Sequence, residues 1–338
     1  MKKVKVGVLG VGGLGLQHAK NLQFRIPNAE LIAVCVRTEE KVKRLQEELE
    51  VPYGYTDYNE MLKNHELEAV VIASSTDIHY AHAIAAIDAG LHIFIEKPTG
   101  MNTEECIAIE QAAAKSNKIF SVGFMRRWDP SYAEAKRRID AGEIGQPILY
   151  RGYSLDPVWI AEYMAKRAEG NGCWFLDMGV HDYDAARWLL GSEPESVYAL
   201  GGAYAYPVFA EHNDVDNGYA LMKFKNGAAA FFYEGRTAPH GSHVEGEVVG
   251  TKGTIRINSI PAADRALMYT SEGVVVKCQD GYPARWKEAF YLELQAFIDA
   301  VQAGESAVGA NAHDGTMATR MGMACQQSYE SGELVKFD

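Results

Sequence analysis

Cysteine is scarce in this 338-residue chain, and its copies show no paired spacing. The set has an odd number of members and contains no Cys-x-x-Cys pair: Cys35, Cys106, Cys173, Cys278 and Cys325. This pattern argues against a disulfide framework and against a cysteine-ligated zinc site. We therefore expect five reduced cysteines that pack as small buried side chains.

Positive charge and long apolar runs are also in short supply. The chain has 33 Lys and Arg against 45 Asp and Glu, a formal net charge of −12, and no long basic run. This balance disfavours nucleic acid and anionic membranes as partners. No apolar stretch reaches bilayer length, and glycines interrupt the apolar stretch after Met1 that would otherwise resemble a signal peptide. We expect a cytoplasmic protein that binds a small ligand.

Several well-known catalytic and metal-binding patterns are missing. The sequence has no G-x-S-x-G elbow and no phosphate-binding P-loop. Two histidine groups could be drawn as metal ligands: His212-x-Asp214-x-Asp216 and His240-x-x-His243. Neither group has a third ligand at a recognisable spacing, so we expect no metal site.

A glycine-rich turn organises the N-terminal part of the chain. The strand-like run Val4–Leu9 leads into Gly10-x-Gly12-x-x-Gly15, and a helical pattern follows. Strand, glycine turn and helix in this order suit a dinucleotide pyrophosphate, which would lie against the free N–H groups of the helix. The alternative is a glycine turn without a ligand, because three glycines alone are a weak signal. The flanking elements favour the cofactor, with Gly13 and Leu14 also in contact with it.

Two different patterns follow each other along the chain. Residues 1–123 alternate strands and helices, which predicts a doubly wound parallel sheet of the Rossmann type. In residues 124–338 strand-like runs follow one another directly, with turn signals such as Lys225-Asn226-Gly227. That pattern predicts an α+β domain with a large, mainly antiparallel open sheet and helices on one face. The predicted fold class is therefore α/β followed by α+β.

Two short segments carry candidate chemistry. Glu96-Lys97-Pro98 follows a predicted parallel strand, at the edge where such sheets bind ligands, and a lysine there could stabilise an alkoxide. Asp177-x-x-x-His181 would present a carboxylate and an imidazole on one face of a helix, a pair suited to proton abstraction. The alternatives are an ordinary surface lysine and a buried pair that only stabilises the helix.

The motifs, taken in order, resemble the glucose-fructose oxidoreductase/inositol dehydrogenase family. The ordered set is the glycine turn, Ser74-Ser75-Thr76-Asp77-x-His79, Glu96-Lys97-Pro98, Gly123-Phe124-Met125-Arg126-Arg127 and Asp177-x-x-x-His181. The resemblance covers nearly the whole chain and is strongest to the inositol dehydrogenases. It implies a nicotinamide cofactor, and it also implies that Lys97, Asp177 and His181 form the catalytic group.

The resemblance also implies further site residues and an assembly. The cofactor would contact Arg37, Ser74, Ser75, Thr76, His79, Glu96 and Lys97 in addition to the glycine turn. The substrate, a polyol or cyclitol, would contact Lys97, Arg127, Asp156, Asp177, His181 and Tyr233. Family members often associate through the exposed face of the large sheet, and this implies a homotetramer.

Two positions depart from the family pattern. Val36-Arg37-Thr38 stands where an acidic residue would bind the adenosine ribose of NAD. Arg37 could pair with the 2′-phosphate of NADP, but Glu39 and Glu40 follow directly, so we expect NAD with NADP as the alternative. Near Asp156 some inositol dehydrogenases carry histidine or asparagine, which leaves scyllo-inositol and myo-inositol both open.

The sequence therefore predicts an NAD-dependent dehydrogenase of polyol catabolism that oxidises an inositol ring hydroxyl to an inosose. Three alternatives remain open at this point. They are a related NAD(P)-dependent sugar dehydrogenase, an NAD-using glycosidase and a cofactor-sensing binding protein.

Overall fold

A computed structural model describes residues 2–165 and 173–337 of the chain. The helices, in chain order, are α1 (Gly13–Phe24), α2 (Glu39–Leu49), α3 (Tyr58–Leu62), α4 (His79–Asp88), α5 (Thr103–Lys115), α6 (Pro130–Asp140), α7 (Val158–Ala165), α8 (Trp174–Asp177), α9 (Gly179–Leu190), α10 (Tyr282–Arg285), α11 (Lys287–Ala303) and α12 (Ala312–Ser331). Short 3₁₀ turns cover Thr76–Ile78, Met125–Trp128 and Pro207–His212.

The strands fall into two large sheets and one hairpin. In chain order they are β1 (Val4–Leu9), β2 (Ala29–Cys35), β3 (Tyr53–Tyr55), β4 (Ala69–Ile72), β5 (His92–Glu96), β6 (Phe120–Gly123), β7 (Pro147–Pro157), β8 (Pro194–Gly202), β9 (Asn217–Phe224), β10 (Ala229–Ala238), β11 (His243–Gly250), β12 (Thr254–Ile257), β13 (Ala262–Thr270), β14 (Gly273–Cys278) and β15 (Val335–Lys336). β13 and β14 form the hairpin.

Two compact units contain these elements. The first joins Met1–Trp128 to Glu288–Thr319, and the second joins Asp129–Lys287 to Arg320–Asp338. The sequence division at residues 123 and 124 therefore differs from the compact units at two places. Residues 124–128 belong with the first unit, and so does the later segment 288–319.

The first unit is built on a parallel sheet. Among the described residues its strand order is β3-β2-β1-β4-β5-β6, and every neighbouring pair is parallel. β4 reads Ala-Val-Val-Ile and is buried throughout, as expected for a strand covered on both faces. The predicted Rossmann-type sheet is confirmed, and its strand order reverses where β1 meets β4, which is where such sheets bind ligands.

Helix α11 completes the core of the first unit. Its buried face carries Leu294, Phe297 and Ile298, and all three belong to the same apolar core as the strands. The Phe297 ring lies 5.9 Å from the ring of Phe94 on β5. Since these side chains recur at the 3–4 residue spacing of one helix face, burial of that face explains why this late segment joins the first unit.

The second unit contains a seven-stranded sheet among the described residues. Its order is β12-β11-β7-β10-β9-β8-β15; β7 and β10 are parallel, and the other pairs are antiparallel. The predicted, mainly antiparallel sheet is confirmed. The strand β7 at its centre was not predicted, and neither were β13 and β15.

One face of this sheet lies under helix α9. Asp182 on α9 accepts hydrogen bonds from the Ser154 hydroxyl and, at 3.4 Å, from the Tyr150 hydroxyl, and both partners are on β7. A Cβ atom at Gly152 would collide with the Asp182 carboxylate, so glycine is needed there for the helix to approach. Alternate residues of β7 therefore face the helix, as the pleat of a strand requires.

Two further expectations meet the structure. All five cysteines are free; Cys35, Cys106 and Cys325 are buried, whereas Cys173 and Cys278 are half-buried. Among the described residues no helix combines the length and apolar character that a bilayer span needs.

Candidate active site

The glycine turn after β1 has the geometry that a pyrophosphate requires. Gly10 has a φ of +87°, and a Cβ atom there would lie 2.5 Å from the carbonyl oxygen of Ala73. Gly15 packs against the Gly10 backbone with no room for a side chain. Helix α1 has no side-chain cap and no acidic residue in its first turn. Its exposed N-terminus, at Gly12 and Gly13, can therefore accept an anion.

Arg37 lies at the end of the neighbouring strand. It lies two residues after the end of β2 and is exposed. Thr38 caps α2 by accepting a hydrogen bond from the Lys41 backbone N–H at 3.4 Å. The ammonium of Lys41 would lie 3.6 Å from a Cβ atom at Gly12, so a second cation stands beside the glycine turn. Sequence reasoning missed Lys41, because its distance from Gly12 depends on how α2 packs.

The loop after β4 holds the predicted Ser74, Ser75 and Thr76. Ser74 and Ser75 are half-buried at the carboxyl end of the strand, and Thr76 is buried in a 3₁₀ turn. The hydroxyl of Ser74 lies 3.1 Å from Nδ1 of His82. These residues share an edge of the sheet with the glycine turn, as predicted, because parallel strands end on the same side.

His79, a predicted cofactor contact, lies between the loops that follow β4 and β5. Its side chain is buried, with Nδ1 2.7 Å from the carbonyl oxygen of Pro98 and Nε2 3.0 Å from that of Ser74. Burial lowers the pKa of His79, although the two carbonyls act in the opposite direction. The ring thus connects the loops after β4 and β5 through these two carbonyl contacts.

Glu96 and Lys97 end strand β5. The Glu96 carboxylate is buried, and its Oε1 lies 2.6 Å from Nε2 of His18 on α1. A Cβ atom at Gly123 on β6 would approach Glu96 Oε1 to 3.0 Å, so glycine leaves room for this carboxylate. Lys97 is half-buried at the edge of the sheet. Glu96 is therefore fixed at the strand end, and Lys97 follows it at the same edge of the sheet.

Arg127 lies in the short turn after β6. Its guanidinium forms an ion pair of 3.1 Å with Asp314 in the first turn of α12, and both side chains are largely buried. The pairing holds the guanidinium of a predicted substrate contact in one orientation. Asp314 was not singled out from the sequence, because a carboxylate near a helix start is an ordinary feature.

The segment that carries Asp177 and His181 is two helices, not the single one predicted. Helix α8 ends at Asp177, and α9 begins at Gly179. Met178 separates the two helices, and a Cβ atom at Gly179 would overlap the ring of Tyr183 one turn later. Asp177 is half-buried and His181 is buried.

Asp156 and Tyr233 lie on opposite faces of the large sheet. Asp156 follows Ser154 at the strand period of two, so it faces the side that α9 covers. Tyr233 is paired with Tyr153 across β10 and β7, and the two residues face the other side. There the Tyr233 ring stacks on Tyr219 at 5.2 Å. The structure thus brings Asp156 to the helix that carries His181, and it does not bring Tyr233 there.

A buried ion pair anchors the start of α8. Asp214 accepts a hydrogen bond from the Trp174 backbone N–H at 2.7 Å, and its other oxygen lies 3.0 Å from the Arg236 guanidinium. That guanidinium lies over the rings of Trp174 and Phe209, 3.9 and 4.3 Å from their centres. Asp214 thus supports the short helix that ends in Asp177. The sequence placed it in a loop, because no local pattern connects it with Arg236.

A second buried cluster lies inside the first unit. His18, Glu96 and Glu293 are all buried, and one imidazole nitrogen and one oxygen of each carboxyl group lie within 4.8 Å of one another. Neither carboxylate oxygen of Glu293 has a hydrogen-bond partner among the described residues. The sequence analysis named Glu96 alone from this cluster.

Two family models match the chain. Residues 4–124 match the NAD-binding Rossmann fold of an oxidoreductase family named Gfo/Idh/MocA, and residues 136–337 match the C-terminal alpha/beta domain of that family. The buried strands, the glycine turn and the antiparallel sheet described above lie within these two spans.

Named relatives cover almost the full length. The scyllo-inositol 2-dehydrogenase (NAD(+)) of Bacillus subtilis (strain 168) is 35% identical over 336 residues, which are 99% of this chain and 97% of that protein. A crystal structure of scyllo-inositol dehydrogenase from Lactobacillus casei with bound NAD(H) and scyllo-inositol has a TM-score of 0.95 and 36% identity, and the match covers 99% of both chains.

The structural similarity extends to an enzyme named for myo-inositol. Myo-inositol dehydrogenase from Lactobacillus casei in complex with NAD(H) and myo-inositol has a TM-score of 0.89 and 27% identity, over 99% of this chain and 97% of that one. From its two matched domains and these full-length relatives, we conclude that the chain belongs to the Gfo/Idh/MocA oxidoreductase family and that its first domain is an NAD-binding Rossmann fold.

Proposed function

We propose that this protein is an NAD-dependent inositol dehydrogenase, which oxidises one ring hydroxyl of scyllo- or myo-inositol to a ketone. The observation that carries the proposal is Lys97, which stands at the carboxyl edge of the parallel sheet beside the glycine turn. Relatives named as inositol dehydrogenases, two of them with NAD(H) and an inositol bound, support the choice of substrate.

Three residues are assigned to the chemical step. Bound NAD supplies the acceptor for the hydrogen that leaves the carbon with two electrons. His181 in its neutral form accepts the hydroxyl proton at its imidazole, and the ammonium of Lys97 stabilises the negative charge that develops on the oxygen. Asp177, one helical turn before His181 in the sequence, orients the imidazole or a neighbouring hydroxyl. The products are the ketone, a proton and the reduced cofactor.

Arg127 and Asp156 are proposed to bind ring hydroxyls. The Asp314 carboxylate holds the Arg127 guanidinium, and guanidinium N–H groups are donors suited to hydroxyl oxygens. Asp156 lies on the sheet face covered by α9 and offers acceptors. A donor and an acceptor suit a polyol, since each hydroxyl both donates and accepts.

The cofactor is proposed to be NAD. Arg37 and Lys41 bring positive charge near the glycine turn, which favours a phosphate, whereas Glu39 and Glu40 in the first turn of α2 repel the additional 2′-phosphate of NADP. We propose that the first unit binds the cofactor and that the second supplies most substrate contacts and the subunit contacts.

The proposed assembly is a homotetramer formed through the large sheet. On the face opposite α9, Leu200 and Leu221 are 53% and 57% exposed, and Tyr198 lies beside Leu221 in the strand register. A second copy of the chain would cover this apolar surface. We also propose a cytoplasmic location and a role in polyol catabolism, in keeping with five free cysteines.

A direct assay tests the proposal. The purified protein is incubated with NAD or NADP and with each inositol isomer or a panel of aldoses, and the absorbance of the reduced nicotinamide is followed. We expect net reduction of NAD with scyllo- or myo-inositol. Reduction with aldoses alone would identify a sugar dehydrogenase, and no net reduction with any of them would contradict the proposal.

A further inference from the structure

The buried cluster of His18, Glu96 and Glu293 carries an inference about Lys97. Helix α1 contributes His18, strand β5 contributes Glu96, and helix α11 contributes Glu293. The exposed fractions of His18 and Glu293 are 0% and 1%. The His18 ring is bounded by the rings of Phe94 and Phe290, with centres 5.6 and 5.8 Å away. The cluster therefore consists of polar side chains that are buried among apolar ones.

The charges in this enclosure cannot all be negative. Two carboxyl groups within 4.8 Å of each other in an apolar site cannot both ionise without a large cost, so one of them retains its proton. Glu96 has a hydrogen-bond partner in His18, at 2.6 Å. Glu293 has no donor among the described residues to support a negative charge, so the proton belongs on Glu293.

A proton explains the cluster better than a metal ion. The 2.6 Å between His18 Nε2 and Glu96 Oε1 is a hydrogen-bond distance, and it requires a proton on the line that joins the two atoms. The nitrogen engaged in this way is not available to a cation. The titratable groups that the structure places beside Glu293 are His18 from α1 and Glu96 from β5. Gly123 on β6 lies against the Glu96 carboxylate and carries no charge.

The cluster adjoins Lys97, which is proposed to stabilise the negative charge that develops on the substrate oxygen. Glu96 is the last residue of β5, and Lys97 follows it directly. On the other side of Lys97, the Pro98 carbonyl accepts a hydrogen bond from buried His79. Both neighbours of Lys97 are therefore anchored, one by a side chain and one by a backbone carbonyl.

We propose that Glu293 is a positioning residue for Lys97, a neutral buried acid that completes the packing around Glu96 without adding a second negative charge. In this way it fixes the end of β5 from which the lysine extends. The inference rests on the proposed function, because Lys97 matters only if it acts on the substrate. Misplacing a reacting group by about 1 Å can cost about a hundredfold in rate.

Infrared spectroscopy tests the charge state without reference to activity. We expect the carbonyl band of a neutral carboxylic acid in the native protein at neutral pH, and we expect E293Q to lack it. The matched control is E134Q, the same chemical change at an exposed carboxylate held by Arg137 and Arg138, and it should keep the band. A spectrum that is unchanged in E293Q would overturn the proposal. One equivalent of divalent metal retained after dialysis would overturn it too.

Kinetics and hydrogen exchange test the positioning. E293A should lower kcat for inositol oxidation by about ten- to a hundredfold with a smaller change in the KM for NAD, and E293Q should recover much of the loss. Amide exchange in the peptide that covers β5 should become faster in E293A and stay slow in E293Q. Unchanged kcat and exchange in E293A would contradict the role.

Two results would have to be interpreted separately: a native protein without activity, and an E293A variant that does not fold. If the native protein oxidises no inositol, the proposed function fails, whereas the infrared band and the exchange of β5 still decide whether Glu293 is neutral and holds the strand end. If E293A does not fold, E293Q decides alone. A large loss of kcat in E293Q, with normal exchange, would mean that the proton itself is needed, and positioning would be wrong.

Discussion

Replacing Glu293 by glutamine should change how stability depends on pH in one definite direction. Burial, and then the nearby charge of Glu96, raise the pKa of Glu293 well above its ordinary value of 4.5. In the unfolded chain the group loses its proton near that ordinary value, while the folded protein keeps it. Between these two pKa values the folded state holds one proton more, so a rise in pH favours unfolding.

The change in the free energy of unfolding with pH follows from this one additional bound proton. Each pH unit between the two pKa values costs the folded state about 1.4 kcal/mol, and below both values there is no cost. For every two pH units between the two pKa values, upward from about pH 5.5, the native protein should lose about 2.7 kcal/mol that the glutamine variant keeps. This is a sizeable share of the about 5–15 kcal/mol that stabilises a typical domain.

The assay is urea unfolding, followed by circular dichroism at several pH values in that range. The glutamine amide brings buried donors of its own, and leaving them without partners adds a cost that does not vary with pH. The difference in slope between the two proteins, not the difference at one pH, is therefore the measured quantity.

E134Q is again the matched control. The Arg137 and Arg138 hydrogen bonds lower the pKa of Glu134 to about 2, so this exposed carboxylate stays ionised over the whole range. Its stabilising effect is lost only as pH falls towards about 2, and E134Q should therefore parallel the native protein. Parallel curves for E293Q and the native protein would refute the reasoning, because they would mean that Glu293 ionises alike in both states.

Three further substitutions test other parts of the structure. K97M should lower turnover by about a hundredfold or more while NAD affinity, measured by titration of protein fluorescence, stays nearly the same; loss of NAD binding first would contradict its role. R37D should raise the ratio of kcat/KM with NAD to kcat/KM with NADP, and an unchanged ratio would place Arg37 away from the adenosine pocket. D214A leaves the buried guanidinium of Arg236 without its carboxylate partner and should cost about 3–5 kcal/mol of unfolding free energy; a loss below about 1 kcal/mol would contradict the anchoring role.

The parts of the site that sequence could predict are those set by local order. Gly10 needs a positive φ and Gly15 has no space for a side chain, and both constraints act over a few residues. Ser74 and Lys97 follow buried apolar strands, and in a parallel sheet all such strands end on one edge. A strand and the residue after it are enough to place a side chain on that edge.

The face of the sheet on which a strand residue lies was harder to predict. The strand period of two separates the residues of β10 into two sets but does not say which set meets the helices. For this reason the sequence could not place Tyr233, a predicted substrate contact, with Tyr153 and Tyr219 on the face opposite α9. The break between Asp177 and Gly179 was also missed, because the apolar and polar spacing of this segment suits one continuous helix.

The buried charges were beyond the reach of local patterns altogether. His18 and Glu96 are 78 positions apart, and Glu293 lies in a helix that the sequence assigned to the other domain. Each is unremarkable by itself, since charged residues on helices are usually solvated. Only the fold shows that all three side chains lie close together at the end of β5.

The position of Glu293 also bears on how the first unit is completed. Residues 1–128 contain the whole parallel sheet, yet the apolar face of α11 with Leu294, Phe297 and Ile298 belongs to the same core. Without that helix, the strands would expose apolar surface, and the pair formed by His18 and Glu96 would lose its enclosure. The Glu96 carboxylate is accommodated in the interior because His18 hydrogen-bonds it at 2.6 Å and because Glu293, which keeps its proton, adds no negative charge beside it. The end of β5, and with it Lys97, therefore depends on a helix that the chain adds nearly 200 residues later.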